Sequence, residues 1–153
     1  MIIDSHCHLD YEPMFSNLNE VIKKAKESNV RFMLTISVTD KKYETILDIT
    51  NKFPNVYGTY GIHPHEAKNH SAIFKNTILK KLNMSKKIIG IGETGLDFYY
   101  NHSDKKDQIR LFEEHIQASI ESNLPLVVHS REAEDQTYEI LANYSKKDNL
   151  KIL

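Results

Sequence analysis

Five short apolar runs of strand character alternate with five stretches of helical periodicity along the 153 residues, and this alternation constrains the fold more than any other feature. Met1 to Ile3 forms the first run. Asn17 then stands as the cap of a helix, with Glu20 three positions on and Leu18, Val21, Ile22 and Ala25 in an apolar stripe that ends near Asn29. Phe32 to Val38 reads as a strand buried on both faces. Asp40 caps a second helix with Tyr43, Ile46, Leu47 and Thr50 inward, stopped by Pro54. Val56 to Ile62 is the third strand, and the uneven stripe Ile73, Ile78, Leu79 and Leu82 gives a third helix from about Ser71 to Asn83. Ile88 to Glu93 is the clearest strand. A loop from Thr94 to Tyr100 leads to a long helix over 104–122, with Ile109, Phe112, Ile116 and Ile120 on one face. Leu124 to His129 is strand five, Arg131 to Tyr144 helix five, and Leu150 to Leu153 the opening of strand six.

Repeated β/α units imply an α/β fold with a parallel sheet, because parallel strands need right-handed crossovers. A doubly wound sheet would carry a glycine-rich phosphate loop after strand one, whereas this loop carries Asp4, His6, His8 and Asp10. Polar residues stand at the C-terminal ends of strands one, three, four and five, where a TIM-like (β/α)8 barrel assembles its active site. The barrel is the expected architecture. Such a barrel takes about 250 residues, so the expectation is a single domain over 1–153 that forms an incomplete barrel of about five βα units plus the start of strand six, a fragment of the full fold. Open parallel edges and uncovered barrel-facing side chains would invite self-association.

Composition narrows the function classes. With 40% hydrophobic and 27% charged residues the chain is ordinary for a globular protein, and 20 basic against 21 acidic residues exclude a global field for nucleic acid or an anionic membrane. Any affinity for phosphate must be local. Cys7 is the only cysteine, so an intrachain disulfide is excluded. No run reaches a membrane-spanning length and no basic-then-apolar leader opens the chain, which leaves the cytoplasm as the expected compartment and no membrane partner.

The chemistry lies at the strand ends. Residues two apart on a strand share a face, so His6 and His8 point together and Cys7 points away. On the same reasoning Ile89, Ile91 and Glu93 share a face, as do Pro125, Val127 and His129. If those faces line a barrel, three imidazoles and a carboxylate converge on its rim, a donor set suited to one or two divalent ions, with imidazole favouring zinc or manganese and carboxylate oxygen extending the range to magnesium. Glu93 has two oxygens and could bridge two ions; ions roughly 3.5–4 Å apart can activate a water and stabilise a leaving oxygen. Against this, Glu93 could simply pair with Arg131, and a lone histidine such as His129 is more often structural. His70, His102 and His115 carry no assigned chemistry, and Cys7 reads as a small buried residue.

The segments Ile3-Asp-Ser-His-Cys-His-Leu-Asp10, Gly61-Ile-His-Pro-His65, Ile91-Gly-Glu-Thr-Gly-Leu-Asp-Phe-Tyr99 and Pro125-Leu-Val-Val-His-Ser-Arg131 resemble the TatD family of metal-dependent deoxyribonucleases in the amidohydrolase superfamily. The resemblance runs over the whole chain in the family's order. It implies a barrel with two divalent metals that hydrolyses DNA phosphodiester bonds, often from a 3′ end, with RNA a second candidate substrate. His6 and His8 match the ligands of one metal, Glu93 the ligand shared by both and the catalytic position beside the attacking water, and His129 a ligand of the second. His63 and His65 match a motif at the rim of the site, where they are candidates for contact with a substrate phosphate, and Arg131 and Tyr99 are weaker ones.

The family pattern also includes a metal-binding His just into strand six and an Asp on strand eight, and neither has a counterpart in these residues. The expectation for the chain alone is therefore little or no activity. Two alternatives stand beside the nuclease reading. One is another amidohydrolase acting on a carbon–nitrogen or ester bond, which the superfamily usually serves with a modified Lys on strand four where this chain has Glu93. The other is a non-catalytic truncated remnant.

Overall fold

The computed structural model describes residues 1–145 and 150–153. Its strands are β1 (Ile2–Cys7), β2 (Val30–Thr35), β3 (Val56–Tyr60), β4 (Ile88–Asp97) and β5 (Leu126–Arg131), and its helices α1 (Leu18–Glu27), α2 (Tyr43–Lys52), α3 (Lys75–Leu82), α4 (Lys105–Ser122) and α5 (Glu134–Ser145). The five strands form one sheet in the order β1-β2-β3-β4-β5, every pair parallel. That order decides between the two architectures. A doubly wound sheet reverses direction at a switch point, whereas each strand here lies beside its sequence neighbour, as in the wall of a barrel. After β5 the chain returns to the sheet: Ile152 bridges in parallel to Leu126, and the Leu126 amide donates to the Lys151 carbonyl at 2.8 Å. Strand six begins where the sequence places it.

The helices cover the outer face because their apolar stripes have only that surface to bury. Ile46 and Leu47 of α2, Ile78 and Leu82 of α3, and Leu111, Phe112 and Ile116 of α4 pack on Tyr60, Ile88, Ile91 and Leu126. Each fully buried aliphatic or aromatic side chain of this kind contributes about 1.5–3 kcal/mol. A smaller cluster of Leu9, Met33, Ile49 and Val56 is flanked by the half-buried stripe of α1. The opposite face of the sheet is open: Ile3, Phe32, Tyr57 and Ile89 line a shallow apolar cleft, with Ile3 57% and Phe32 41% exposed.

Several boundaries differ from those read in the sequence. β1 continues to Cys7 rather than stopping at Ile3, so Asp4 and His6 are strand residues. Asn17 makes no cap; its side-chain amide donates to the Pro13 carbonyl at 2.8 Å instead. Thr39, not Asp40, accepts the capping hydrogen bond, from the Lys41 amide. That leaves the Asp40 carboxylate free for the Tyr60 hydroxyl at 2.9 Å and the Lys81 ammonium at 2.8 Å, which together hold its pKa below the ordinary value against burial. α3 starts at Lys75, four residues after Ser71. β4 runs on through the expected loop to Asp97, and β5 takes in Arg131 before α5 begins at Glu134.

Strict alternation also fails at two places that matter. The pairing register shifts between Asp4 and Cys7 in β1 and between Ile91 and Thr94 in β4. Such irregularities bend a strand and re-aim side chains, and they are common beside active sites. Here they fall at His6 and Glu93, inside β1 and β4.

Candidate metal centre

Glu93 occupies the middle of the C-terminal rim, held from beneath. Its amide donates to the Ser37 carbonyl at 2.8 Å, the Ser37 amide donates to the Thr59 hydroxyl at 3.1 Å, and that hydroxyl in turn donates to the Gly92 carbonyl. This buried polar layer is possible because β3 and β4 meet closely. A Cβ on Gly61 would fall on the backbone of Gly92, and Gly92 itself has φ +125°, a conformation that favours glycine.

The two oxygens of Glu93 face two different histidine sets. Oε2 lies 3.6 Å from His6 Nε2 and 3.9 Å from His8 Nε2, and Oε1 lies 3.1 Å from His129 Nδ1. Two groups offer ligand atoms that all lie within 4.8 Å of one another: His6, His8 and Glu93, and His63, Glu93 and His129. Glu93 belongs to both and does not pair with Arg131. Burial works against its charge, but the His129 hydrogen bond and the surrounding imidazoles outweigh that and lower its pKa.

The hydrogen bonds to the far side of each ring decide which nitrogen is free, since one ring nitrogen's partner sets the role of the other. His8 Nδ1 lies 3.3 Å from the Ile36 carbonyl, which can only accept, so Nδ1 carries the proton and the Nε2 lone pair faces Glu93. The neighbouring Leu9 amide is fixed by Thr35 Oγ1 at 3.1 Å. His129 Nε2 lies 3.1 Å from Asp97 Oδ2, leaving Nδ1 on the Glu93 side. Without an ion, His129 sits between two carboxylates; the Glu93 hydrogen bond, then Asp97, raise its pKa against burial.

His63 is different. Its Nδ1 accepts the His65 amide at 3.2 Å, and burial drives its pKa down to about 4. A neutral ring that accepts through Nδ1 carries its proton on Nε2 and is a donor there. Proximity places His63 in the second group; its tautomer makes it a donor to an anion. His65 is turned away from the Glu93 oxygens, with Nε2 2.8 Å from Asp97 Oδ2.

Asp97 went unnoticed in the sequence. Its carboxylate is buried, with Oδ2 shared by His65 and His129 and Oδ1 accepting the amides of Tyr99 and Tyr100 at 3.1 and 3.0 Å. Burial alone would raise its pKa, yet the Tyr100 amide and the two histidines bring it down to about 2. Gln108 of α4 anchors the same residue by accepting the Asp97 amide at 2.8 Å and donating to its carbonyl at 3.0 Å. The available signal was spacing: Asp97 stands four residues after Glu93, on the same side if the strand continues, and Gly95 disguised that continuation as a loop.

The other candidates lie around this centre. The guanidinium of Arg131 rests against Tyr99 and Tyr100 at the rim. His102 packs against His65. His70 lies away, bonded to the Glu66 carbonyl. His115 is buried, with Nδ1 donating to the Leu111 carbonyl and Nε2 accepting the Ile62 amide, which steadies the segment leading to His63. Cys7 donates its thiol to the Leu34 carbonyl, and burial pushes its pKa up to about 12.

Imidazole nitrogens and a shared carboxylate at the C-terminal rim of a curled parallel β/α sheet define a barrel-type metal-dependent hydrolase site. The comparisons with known proteins give that class its family. The TatD-related DNase family profile matches residues 3–152, and the chain belongs to that family. An uncharacterized metal-dependent hydrolase of Buchnera aphidicola is 38% identical over 149 residues, covering 92% of this chain and 56% of that protein. A protein of Erwinia tasmaniensis named 3′-5′ ssDNA/RNA exonuclease TatD is 33% identical over 130 residues, covering 84% of this chain and 50% of its own length. Among solved structures, a TatD homologue of Escherichia coli superposes with a TM-score of 0.83 at 23% identity over 94% of this chain and 56% of that one. A TatD-family hydrolase of Entamoeba histolytica gives 0.84 at 20% identity over 95% and 55%. The chain thus spans about half the length of the relatives it matches.

Proposed function

We propose that these residues hold two divalent ions, magnesium, manganese or zinc, and act on phosphodiester bonds of single-stranded DNA from a 3′ end, with RNA as a second substrate. The observation that carries this reading is the division of Glu93, one oxygen toward His6 and His8 and the other toward His129. A carboxylate placed in this way is the simplest means of holding two ions side by side. The exonuclease name of the Erwinia relative supports the choice of substrate. When bound, the ions supply a nucleophilic water at neutral pH and offset charge on the phosphate oxygens.

The chain's own side chains would do the rest. His6, His8 and Glu93 hold one ion and Glu93 and His129 the other, while Asp97 keeps the His129 ring turned with Nδ1 inward. Neutral His63 donates from Nε2 to a phosphate oxygen. Arg131 and Tyr99 meet the strand further out on the rim. Besides Glu93 and His129 the second position has only His63 to draw on, whose Nδ1 already accepts the His65 amide, so we expect the ion there to bind weakly and turnover by the 153 residues to be slow. A cytoplasmic location, and association through the open apolar face, belong to the same proposal.

The test is manganese-dependent binding of a 5′-fluorescein phosphorothioate oligothymidylate, followed by anisotropy. Binding that needs manganese and is lost in Glu93→Gln supports the reading. Binding that ignores both the ion and the substitution overturns it.

A further inference from the structure

A set of aromatic rings leads outward from the metal centre. The His63 and His129 rings are edge to face at 4.4 Å, His63 and His65 likewise at 4.4 Å, His65 meets Tyr100 at 5.4 Å, and Tyr100 meets Tyr99 at 4.7 Å. The path ends in solvent: Tyr99 is 51% and Tyr100 40% exposed. Two adjacent tyrosines left this open at the rim of a polar site offer aromatic surface that an occupant could bury.

Arg131 supplies the charge. Its Cζ lies 4.2 Å from the Tyr99 ring centroid and 4.7 Å from that of Tyr100, and among the described residues it has no carboxylate partner. An unpaired guanidinium stacked on aromatic rings keeps donors free for a phosphate and leaves the ring surface it does not cover for a planar group.

The platform is rigidly tied to the centre. The amides of Tyr99 and Tyr100 bond to the Asp97 oxygen that lies opposite the one shared by His65 and His129, and the Phe98 amide donates to the Arg131 carbonyl at 2.9 Å across the β4–β5 pair. One buried carboxylate therefore sets both the His129 ring and the height of the tyrosines.

We propose that Tyr99, Tyr100 and Arg131 form a stacking platform for a nucleobase of a single strand whose phosphate lies at the metal centre, which deepens and rests on the nucleic-acid reading above. Stacking uses the π face that every base has, so the platform accepts any sequence and either sugar, and it admits a single strand rather than a duplex, whose bases are already stacked.

The test compares two phosphorothioate strands of equal length on the 153-residue chain in manganese, an oligothymidylate and one whose 3′-terminal sugars carry no base. Tyr99→Ala should weaken binding of the oligothymidylate on the order of tenfold and that of the abasic strand far less, while Tyr99→Phe retains the wild-type preference. Circular dichroism checks that each variant is folded, as expected for an exposed side chain. The DNA and RNA versions of the strand should lose equally. If manganese-dependent binding persists but is indifferent to Tyr99→Ala and to removal of the bases, the platform is wrong and the nuclease reading stands. If no manganese-dependent binding of either strand is seen, the nuclease reading falls and the platform with it.

Discussion

Nε2 of His129 lies 3.1 Å from Oδ2 of Asp97, so the ring presents Nδ1 to Glu93. Residues that orient a metal-ligating histidine through its far nitrogen typically cost 10–100-fold in metal affinity when removed. Asp97→Asn should therefore weaken manganese binding by about tenfold or more, although Asp97 touches no ion. Calorimetric titration of the variant against wild type checks this; equal affinity would mean that the His129 ring is held by other contacts.

The same pair sets a pH dependence. A carboxylate on each nitrogen raises the His129 pKa above its ordinary value of 6.5, and a protonated ring cannot ligate. Manganese affinity should thus rise with pH, and the midpoint of that rise should lie above pH 6.5, where a free histidine is half-titrated. Removing one of the two carboxylates in Asp97→Asn should move that rise to lower pH. Titrations across a pH series read the midpoint directly, and a midpoint that Asp97→Asn leaves in place would contradict the assignment.

Gly61→Ala tests the close meeting of β3 and β4. The added methyl falls on the Gly92 backbone, which cannot yield as a flexible side chain would. The expected cost is about 1–3 kcal/mol of stability, together with a loss of manganese affinity, since Gly92 carries Glu93. Urea unfolding and metal titration of the one variant measure both. A stable variant with unchanged affinity would show that the strands separate without disturbing the site.

His115 has no place in the chemistry and should matter only to folding. Burial pushes its pKa down to about 4, so the ring is neutral and serves as a relay between the Leu111 carbonyl and the Ile62 amide. His115→Leu leaves that buried amide without a partner, and the expected loss is about 1–3 kcal/mol, seen as a lower urea midpoint with metal affinity retained. A variant of full stability that had lost metal affinity would mean that this histidine serves the site directly.

The strand and helix sequence was legible because most elements repeat their apolar residues at a single period, and the candidate ligands His6, His8, Glu93 and His129 because they stand towards the ends of those strands. Asp97 was not legible for a local reason: Thr94-Gly95 looks like the start of a loop, while the strand passes through it with Gly95 at positive φ. The stacking of Arg131 on Tyr99 and Tyr100 depends on β4 and β5 ending side by side, which is a matter of register and not of composition. The role of His63 depends on a proton, and it follows from the single bond between its Nδ1 and the His65 amide. Asp40 shows the converse, a residue of capping type that the fold uses for Lys81 and Tyr60 while Thr39 takes the cap.

The proposed site depends above all on Glu93 being shared between two ion positions. Manganese titration of wild type, Glu93→Gln and His6→Ala, followed by electron paramagnetic resonance of the free ion, tests it most directly. His6→Ala should weaken one class of site and leave the other, whereas Glu93→Gln should weaken both. Retention of either class at wild-type affinity in Glu93→Gln would contradict it.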